Sequence, residues 1–152
     1  MLAKGIPQSA ILALTFTNKA AREMGNRVKE LTGKKLQSLT VSTFHAFGVK
    51  ILRDEIEALG YRKNFSIYDE TDRIELIKEC LRDKKNSIEG VDLYGLAQLF
   101  SNIKIGRFEW GNSTNQGPDI IWEPVYQEYQ QSLKIYNALD FDDLLTLPIN
   151  LF

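Results

Sequence analysis

Few residues in this 152-residue sequence could form covalent or metal-linked scaffolds, since it contains one cysteine, Cys80, and one histidine, His45. A single cysteine cannot form an internal disulfide, and the two residues together cannot supply the ligands of a structural zinc site. We expect Cys80 to be a buried helix residue. The sequence therefore predicts neither a disulfide scaffold nor a zinc module.

The sequence also lacks a long apolar run and a strong net charge. No run approaches the roughly 20 apolar residues that a membrane-spanning helix needs, and the start of the chain does not resemble a signal peptide. We therefore expect a cytoplasmic protein with no membrane partner. With 43% hydrophobic residues, 26% charged residues and a net charge of −1, the chain is typical of a globular domain, not of one that binds nucleic acid over its whole surface.

Charge is unevenly distributed along the chain. Residues 19–35 contain six basic and two acidic side chains, whereas residues 119–152 contain six acidic side chains and one lysine. A basic N-terminal third could meet phosphates, although such a run is also typical of a solvated helix face. The charge pattern alone does not decide between the two.

The most informative segment is residues 11–28, where a strand, a turn and a helix are predicted in succession. Four apolar residues from Ile11 to Leu14 precede a hydroxyl-rich turn, and a helical apolar pattern follows, with Gly33 suited to the left-handed position after the helix. The residues of this apolar pattern, at three- and four-residue steps, are Ala20, Ala21, Met24, Val28 and Leu31. An unbroken apolar strand is typical of a parallel sheet covered by helices.

The turn between this strand and helix carries groups suited to nucleic acid. Thr17 or Asn18 would cap the helix, whose free N–H groups and dipole favour a phosphate, and Lys19 and Arg22 add positive charge nearby. Phe16 offers the aromatic face that stacking on an unpaired base requires. Many α/β proteins cap helices in this way for structural reasons alone, so the pattern leaves both interpretations open.

A second strand and helix follow with a similar turn. Leu39–Val41 is a short β-prone run, Ser42 or Thr43 can cap the next helix, and Gly60 ends it. The predicted inward residues of this helix are Phe44, Phe47, Ile51, Leu52, Ile56 and Leu59. His45 alone would be a structural hydrogen-bonding residue. Because consecutive parallel strands bring their ends to one edge of a sheet, we expect this turn to lie beside the first.

The middle of the chain is predicted to be helical. Helices are expected after a cap at Asp69 or Thr71, from Asp92 to about residue 105, and from Pro124 to about residue 136, with a loop over 106–117. The predicted inward residues of the first of these are Ile74, Ile77, Cys80 and Leu81. The Asp-Glu pair at 69–70 follows a short strand, as in a Walker B segment, but we interpret it as part of the helix cap.

The last predicted helix begins in the segment LDFDDLL at residues 139–145. Asp140 and Asp143 have the spacing of a helix-capping pair. The predicted inward residues are Phe141, Leu144 and Leu145. Adjacent Asp142 and Asp143 point about 100° apart on a helix, so they cannot chelate one divalent ion without other ligands. We therefore predict no metal site here.

Three separated segments resemble superfamily 1 DNA helicases of the UvrD, Rep and PcrA type. TFTNKAAREM at 15–24 resembles motif Ia, VSTFHAFGVKILR at 41–53 resembles the next conserved segment, and LDFDDLL at 139–145 resembles the signature that closes the helical accessory subdomain. NFSIYDETD at 64–72 and VYQEYQQSL at 125–133 are also similar to family sequence. This ordered set covers almost the whole chain.

The resemblance implies an α/β, predominantly helical fold, with a partial parallel RecA-like sheet of two short strands followed by a helical subdomain. Residues 1–60 would belong to the first motor domain, residues 61–139 to the accessory subdomain, and residues 140–152 to a segment returning to the motor domain. Family members also carry a P-loop and a Walker B segment. Neither is in this sequence, since Gly33-Lys34 lacks both the preceding glycine and the following Ser or Thr of a P-loop. We therefore expect a piece of a longer helicase.

By the same resemblance, the chain is the part of an ATP-dependent 3′-to-5′ helicase that binds single-stranded DNA and single/double-strand junctions. The residues expected to contact DNA are Thr15, Phe16, Thr17, Asn18, Thr43, His45 and Phe141, with Phe16 and Phe141 forming a pocket for a base. ATP and Mg²⁺ would act in the parent protein, and this chain is expected to bind neither and to contain no catalytic residue. Exposed strand edges would favour a non-native dimer of the isolated chain.

Two alternatives remain open from the sequence. One is a non-enzymatic nucleic-acid-binding module, and the other is a helical protein-interaction domain whose two strands are incidental. A P-loop encoded shortly upstream in the reading frame, with an Asp-Glu segment downstream, would favour the helicase over both.

Overall fold

The computed structural model describes residues 1–33, 38–82, 90–110 and 121–152 of the chain. It is mostly helical, with four short strands in two parallel pairs, which confirms the predicted α/β, predominantly helical class. The chain forms two compact units, Met1–Ile51 and Leu52–Phe152. Among the described residues, no helix is long and apolar enough to cross a membrane. The three-part division at residues 60 and 139 stays a prediction.

The first unit is built from two strand–helix repeats. Its elements are two short 3₁₀ turns, Leu2–Lys4 and Gln8–Ala10, then β1 (Leu12–Thr15), α1 (Asn18–Thr32), β2 (Thr40–Thr43) and α2 (Phe44–Glu55), which continues into the second unit. β1 and β2 pair in parallel, from Leu12 opposite Thr40 to Thr15 opposite Thr43. This confirms the predicted parallel, adjacent strands and brings the ends of both to one edge.

Helix α1 begins and ends as the sequence predicts, but its apolar side is not buried. Gly33 follows it at φ 62°, a backbone angle that glycine adopts without strain, and the Gly33 N–H donates to the Lys29 carbonyl. None of the residues of α1 is buried, and Leu31, the last residue of its apolar pattern, is 73% exposed. α1 contacts β1 and β2, and two four-residue strands are too narrow to cover one face of a 15-residue helix.

The second unit is a helical bundle with a small parallel strand pair. Its elements after α2 are a 3₁₀ turn (Ile56–Leu59), β3 (Ser66–Ile67), α3 (Glu70–Arg82), α4 (Leu93–Lys104), α5 (Glu123–Ile135), β4 (Ala138–Leu139), α6 (Asp143–Thr146) and a final 3₁₀ turn (Ile149–Leu151). Ser66 pairs with Ala138 and Ile67 with Leu139. The sequence did not predict β4, because a strand of two residues has no recognisable periodicity.

The core of the second unit lies among α3, α4 and α5. Its buried members are Ile74, Leu76, Ile77, Cys80, Leu81, Leu96, Ala97, Phe100, Val125, Tyr129, Leu133 and Ala138. The predicted inward face of α3 is therefore confirmed, and Cys80 is buried as expected. Leu52 on α2 and Ile56 in the 3₁₀ turn after it are fully buried. Phe44, also predicted to point inward, is 41% exposed because it begins α2 at the strand edge.

Helix caps in this unit follow the sequence. The Asp69 carboxylate accepts from the Asp72 N–H at 3.0 Å, so Asp69 caps α3, and Asp92 caps α4 by accepting from the Gly95 N–H at 2.9 Å. This confirms the cap interpretation of the Asp-Glu pair at 69–70. The loop predicted over 106–117 lies outside the described residues from residue 111 onward.

Candidate nucleic-acid interface

The two turns at the edge of the β1–β2 pair are held by threonine hydroxyls. Thr15 and Thr43 face each other in register and are only 9% and 8% exposed. The Thr15 hydroxyl donates to the Thr17 carbonyl at 3.0 Å, and the Thr43 hydroxyl accepts from the Ala46 N–H at 3.2 Å. These nearly buried hydroxyls therefore stabilise the two turns. Thr43, one of the two predicted caps of α2, is confirmed as its cap.

The first turn of α1 presents a positive helix end at this edge. The Thr17 hydroxyl accepts from the Ala20 N–H at 3.1 Å, so Thr17, one of the two predicted caps, closes the helix, and Asn18 is its first residue. A helix begins with N–H groups that have no partner inside it, and these groups and the helix dipole attract anions. Thr17 and Asn18 are both exposed, so this helix end is open to an anionic ligand.

A surface pocket of about 420 Å³ lies where the two helices begin. It is lined by Asn18, Ala21, Arg22, Val41, Ser42, Thr43 and Ala46. The pocket thus combines the starts of α1 and α2 with a guanidinium group, which is a suitable arrangement for a phosphate. Arg22 and Ser42 were not among the predicted contact residues, although charge at Arg22 was noted in the sequence.

Two aromatic rings stand exposed beside this edge. Phe16, in the turn after β1, is 88% exposed, and its ring centroid lies 5.2 Å from that of Phe44, with 39° between the ring planes. The exposure of Phe16 agrees with a stacking surface and not with a core residue. Phe44 extends this surface, which sequence reasoning missed because it assigned Phe44 to the buried face of α2. His45 is also exposed, in the first turn of α2.

Phe141 belongs to the second unit and is 51% exposed. Its predicted inward direction is therefore wrong. The physical reason is the turn that contains it, since Asp140 and Asp143 fill the inward positions with their side chains 1% and 5% exposed. A base pocket shared by Phe16 and Phe141 stays a prediction.

The buried carboxylates next to Phe141 surround a lysine. The Lys104 ammonium donates to Asp140 Oδ2 at 2.7 Å and to Asp143 Oδ1 at 2.8 Å, and its side chain is 3% exposed. The other two carboxylate oxygens accept from the partner's backbone: Asp140 Oδ1 from the Asp143 N–H at 3.0 Å, and Asp143 Oδ2 from the Asp140 N–H at 3.1 Å. The predicted capping pair is confirmed, and its carboxylates bind a lysine. No sequence signal pointed to Lys104.

Burial and charge shift the pKa values of the groups around Lys104 in different directions. Burial raises the pKa of Asp143 to about 6, against the opposing effect of the Lys104 ammonium. For Asp140, burial is outweighed by the Lys104 charge together with hydrogen bonds from Lys104, Tyr129 and the Asp143 backbone, so its pKa lies below its ordinary value. Burial, with the nearby Asp143 and Asp140 carboxylates, raises the pKa of Tyr61 to about 12.

In P-loop proteins, a glycine-rich loop and the Lys and Ser or Thr that follow it hold ATP with Mg²⁺. The sequence contains no glycine-rich loop followed by Lys and Ser or Thr. Within residues 1–33, 38–82, 90–110 and 121–152, no group of three His, Cys, Asp or Glu side chains is arranged to hold a metal ion. The three aspartates at 140–143 engage Lys104, Ser101 and Arg73 instead.

A parallel strand–helix pair followed by a helical bundle places the chain among the α/β proteins, in which ligands usually bind where strands lead into helices. Comparison with known proteins narrows the class. The model of the UvrD/REP helicase N-terminal domain matches residues 1–152, and the chain belongs to this family.

Individual relatives agree with the family. The chain is 37% identical over 153 residues to the ATP-dependent DNA helicase PcrA of Staphylococcus aureus strain Mu50, covering 98% of this chain and 21% of the relative. It is also 37% identical over 152 residues to the PcrA of Staphylococcus epidermidis strain ATCC 12228, with the same coverage. The chain thus spans about one fifth of the length of these curated relatives.

Proposed function

We propose that the chain is the single-stranded-DNA-binding portion of an ATP-dependent DNA helicase that moves 3′ to 5′. The observation that carries the proposal is the 88% exposure of Phe16 in the turn after β1, beside Phe44 and the starts of two helices. At 88% exposure the Phe16 ring buries little surface in the fold, although it is a large apolar side chain. Its ring is available to an unpaired base.

The side chains and helix ends at this edge suit single-stranded DNA of any sequence. The α1 N-terminus and the Arg22 side chain would hold phosphates, and the Phe16 and Phe44 rings would stack on bases. A translocating helicase must bind every sequence and release it in each cycle. It therefore needs hydrogen-bond donors that hold the phosphates and aromatic faces that stack on the bases. It does not need groups that read base edges. Thr17, Asn18 and His45 add polar groups at the same edge.

The remaining roles follow from the family and belong to the longer protein. ATP hydrolysis with Mg²⁺ would take place at groups that this chain does not contain. We propose that residues 61–139 form the accessory subdomain beside the motor domain and that residues 140–152 return toward the motor. Single/double-strand junctions are the proposed substrate, and Phe141 contributes a second ring to the contact with the single strand.

The proposal is tested by replacing Phe16 with alanine in the intact protein that contains this chain. Base stacking on an aromatic ring is worth about 1 to 3 kcal/mol, so Phe16→Ala is expected to weaken binding of a fluorescein-labelled oligothymidylate by roughly 5- to 150-fold. Thermal stability should change little, because the ring buries almost no surface. ATP binding without DNA should be unchanged.

Leu31→Ala is the matched control. Leu31 is an equally apolar, 73% exposed residue of the same unit, 13 positions after Asn18 along α1 and so about 20 Å away along the helix axis. Its replacement should leave DNA affinity unchanged. Equal DNA affinity of the Phe16→Ala and wild-type proteins, or a large fall in melting temperature on Phe16→Ala, would contradict the proposal.

A further inference from the structure

Phe141 lies in a turn whose backbone is fixed from both sides. Asp140 precedes it and Asp142 follows it, and Asp140 and Asp143 exchange backbone-to-carboxylate hydrogen bonds of 3.0 and 3.1 Å across it. The ring between them is 51% exposed although both flanking carboxylates at 140 and 143 are buried. The turn therefore points the aromatic side chain outward while its polar side chains point inward.

We infer that Lys104 of α4 is a positioning residue for DNA binding: its buried ammonium holds the Asp140–Asp143 turn in the geometry that presents the Phe141 ring to a base. The inference rests on the proposed function, since it assigns a task to a residue that does not itself contact DNA. Lys104 reaches the turn from 36 residues earlier in the chain. It is 3% exposed and cannot be a phosphate contact.

The turn needs a cation because it brings two carboxylates together in a buried place. Lys104 Nζ lies 2.7 Å from one and 2.8 Å from the other. Without the ammonium, two like charges would share a site of low dielectric and repel each other. The reciprocal hydrogen bonds across Phe141 would then open, because each depends on the orientation of one of these carboxylates.

A second set of contacts anchors the other neighbour of Phe141. The Ser101 hydroxyl donates to Asp142 Oδ2 at 2.6 Å, and the Arg73 guanidinium lies 3.5 Å from the same oxygen. Arg73 also donates to Ser101 Oγ at 2.9 Å. These contacts join Asp142 to α3 and α4, and the Tyr129 hydroxyl donates to Asp140 Oδ2 at 2.8 Å. Loss of Lys104 would therefore loosen the reciprocal Asp140–Asp143 bonds without releasing the whole segment.

The experiment is a double-mutant cycle between Lys104→Met and Phe141→Ala in the intact protein, read as affinity for an oligothymidylate. A mobile ring pays an ordering penalty when it stacks, so Lys104→Met should weaken binding roughly two- to twelvefold. In the Phe141→Ala background it should cause no further loss, because the two residues act as a unit. The dependence of affinity on salt should keep its slope, since no phosphate contact is removed.

A spectroscopic readout measures the ring directly. With 4-fluorophenylalanine at position 141, the ¹⁹F resonance should be narrower in Lys104→Met than in wild type, because the ring moves more freely. Lys78→Met is the matched control, since Lys78 of α3 forms an exposed pair with Glu75 and lies in no contact with the turn residues named above. It should change neither affinity nor line width.

The outcomes separate the inference from the proposed function. If Phe141→Ala weakens binding but Lys104→Met does not, or does so equally in both backgrounds, the inference is overturned and the proposed function stands. If Phe141→Ala leaves affinity unchanged, Phe141 leaves the proposed DNA site and the inference falls with it. Should Lys104→Met fail to fold, the variant Lys104→Met/Asp143→Asn removes the repelling charge together with the ammonium. It is expected to fold and to bind the oligothymidylate as wild type does, because no pair of like charges remains to open the turn, and a loss of affinity in this variant would overturn the inference.

Discussion

Replacing Asn137 tests how the chain turns from α5 into β4. Asn137 is buried at 6% exposure and has φ 53°, in the left-handed region that side chains with a Cβ disfavour. Its Oδ1 accepts from the Arg62 N–H at 2.7 Å, and its Nδ2 donates to the Arg62 carbonyl at 3.3 Å. One side chain thus joins the end of α5 to the segment before β3.

The expected cost of Asn137→Ala has two parts. Loss of both hydrogen bonds leaves the Arg62 N–H without its partner, which costs about 1 to 3 kcal/mol, and alanine in the left-handed region costs about 1 to 2 kcal/mol more. Asn137→Gly loses the same hydrogen bonds but tolerates the backbone angle. We therefore expect the free energy of unfolding to fall in both variants, and to fall further for alanine.

The assay is urea unfolding followed by circular dichroism at 222 nm. Asn64→Ala is the control, since Asn64 is exposed and its replacement should stay within about 0.5 kcal/mol of wild type. The reasoning is refuted if Asn137→Gly is at least as destabilised as Asn137→Ala, because the backbone angle would then carry no cost. It is also refuted if neither variant differs from the control.

Three further predictions concern the core, the buried carboxylates and nucleotide. Phe100 is fully buried, with its ring centroid 5.1 Å from that of Tyr126 and 5.3 Å from that of Tyr129. Phe100→Ala should therefore lower the free energy of unfolding by about 3 to 5 kcal/mol, as measured by the same urea titration. Burial raises the pKa of Asp143 to about 6, so the contribution of this group to the free energy of unfolding should fall as pH rises from about 4 to about 6. The Asp143→Asn protein should lack that fall. Identical stability–pH profiles of the wild-type and Asp143→Asn proteins would contradict the pKa shift. Calorimetric titration of the chain with ATP and Mg²⁺ should be flat, since no phosphate-binding loop is present, and saturable heat would show that the motifs were assigned wrongly.

The elements near the first turn could be predicted from sequence because their signals are local. Thr17, Thr43 and Gly33 each determine a helix end by bonds or backbone angles within four residues. The parallel pairing of β1 and β2 follows from two consecutive strand–helix repeats. Phe16 was expected at the surface on the hypothesis that it stacks on a base, and its 88% exposure agrees with that hypothesis.

What could not be predicted depends on contacts distant in sequence. Lys104 meets Asp140 from 36 residues away and Asn137 meets Arg62 from 75 residues away, and no spacing rule relates such pairs. The inward assignments of Phe44 and Phe141 were wrong for a related reason. A helical or capping pattern says which residues share a face, but not whether another element covers that face.

The exposed rings of the two units share a local arrangement that explains how an aromatic side chain can be kept in solvent and still be ordered. Phe16 stands between Thr15, whose hydroxyl donates to the Thr17 carbonyl, and Thr17, whose hydroxyl accepts from the Ala20 N–H.

In the second unit Phe141 stands between Asp140 and Asp142, whose carboxylates accept from Lys104 and Ser101. In each case the side chains on both sides of the ring fix the backbone. A ring presented in this way has already lost backbone freedom before any base arrives, so less of its stacking energy is spent on ordering. At Phe16 the threonine hydroxyls are sufficient, because the turn leads directly into the 15-residue helix α1. The Asp140–Asp143 turn leads into a helix of four residues, so its geometry also depends on the buried Lys104 ammonium.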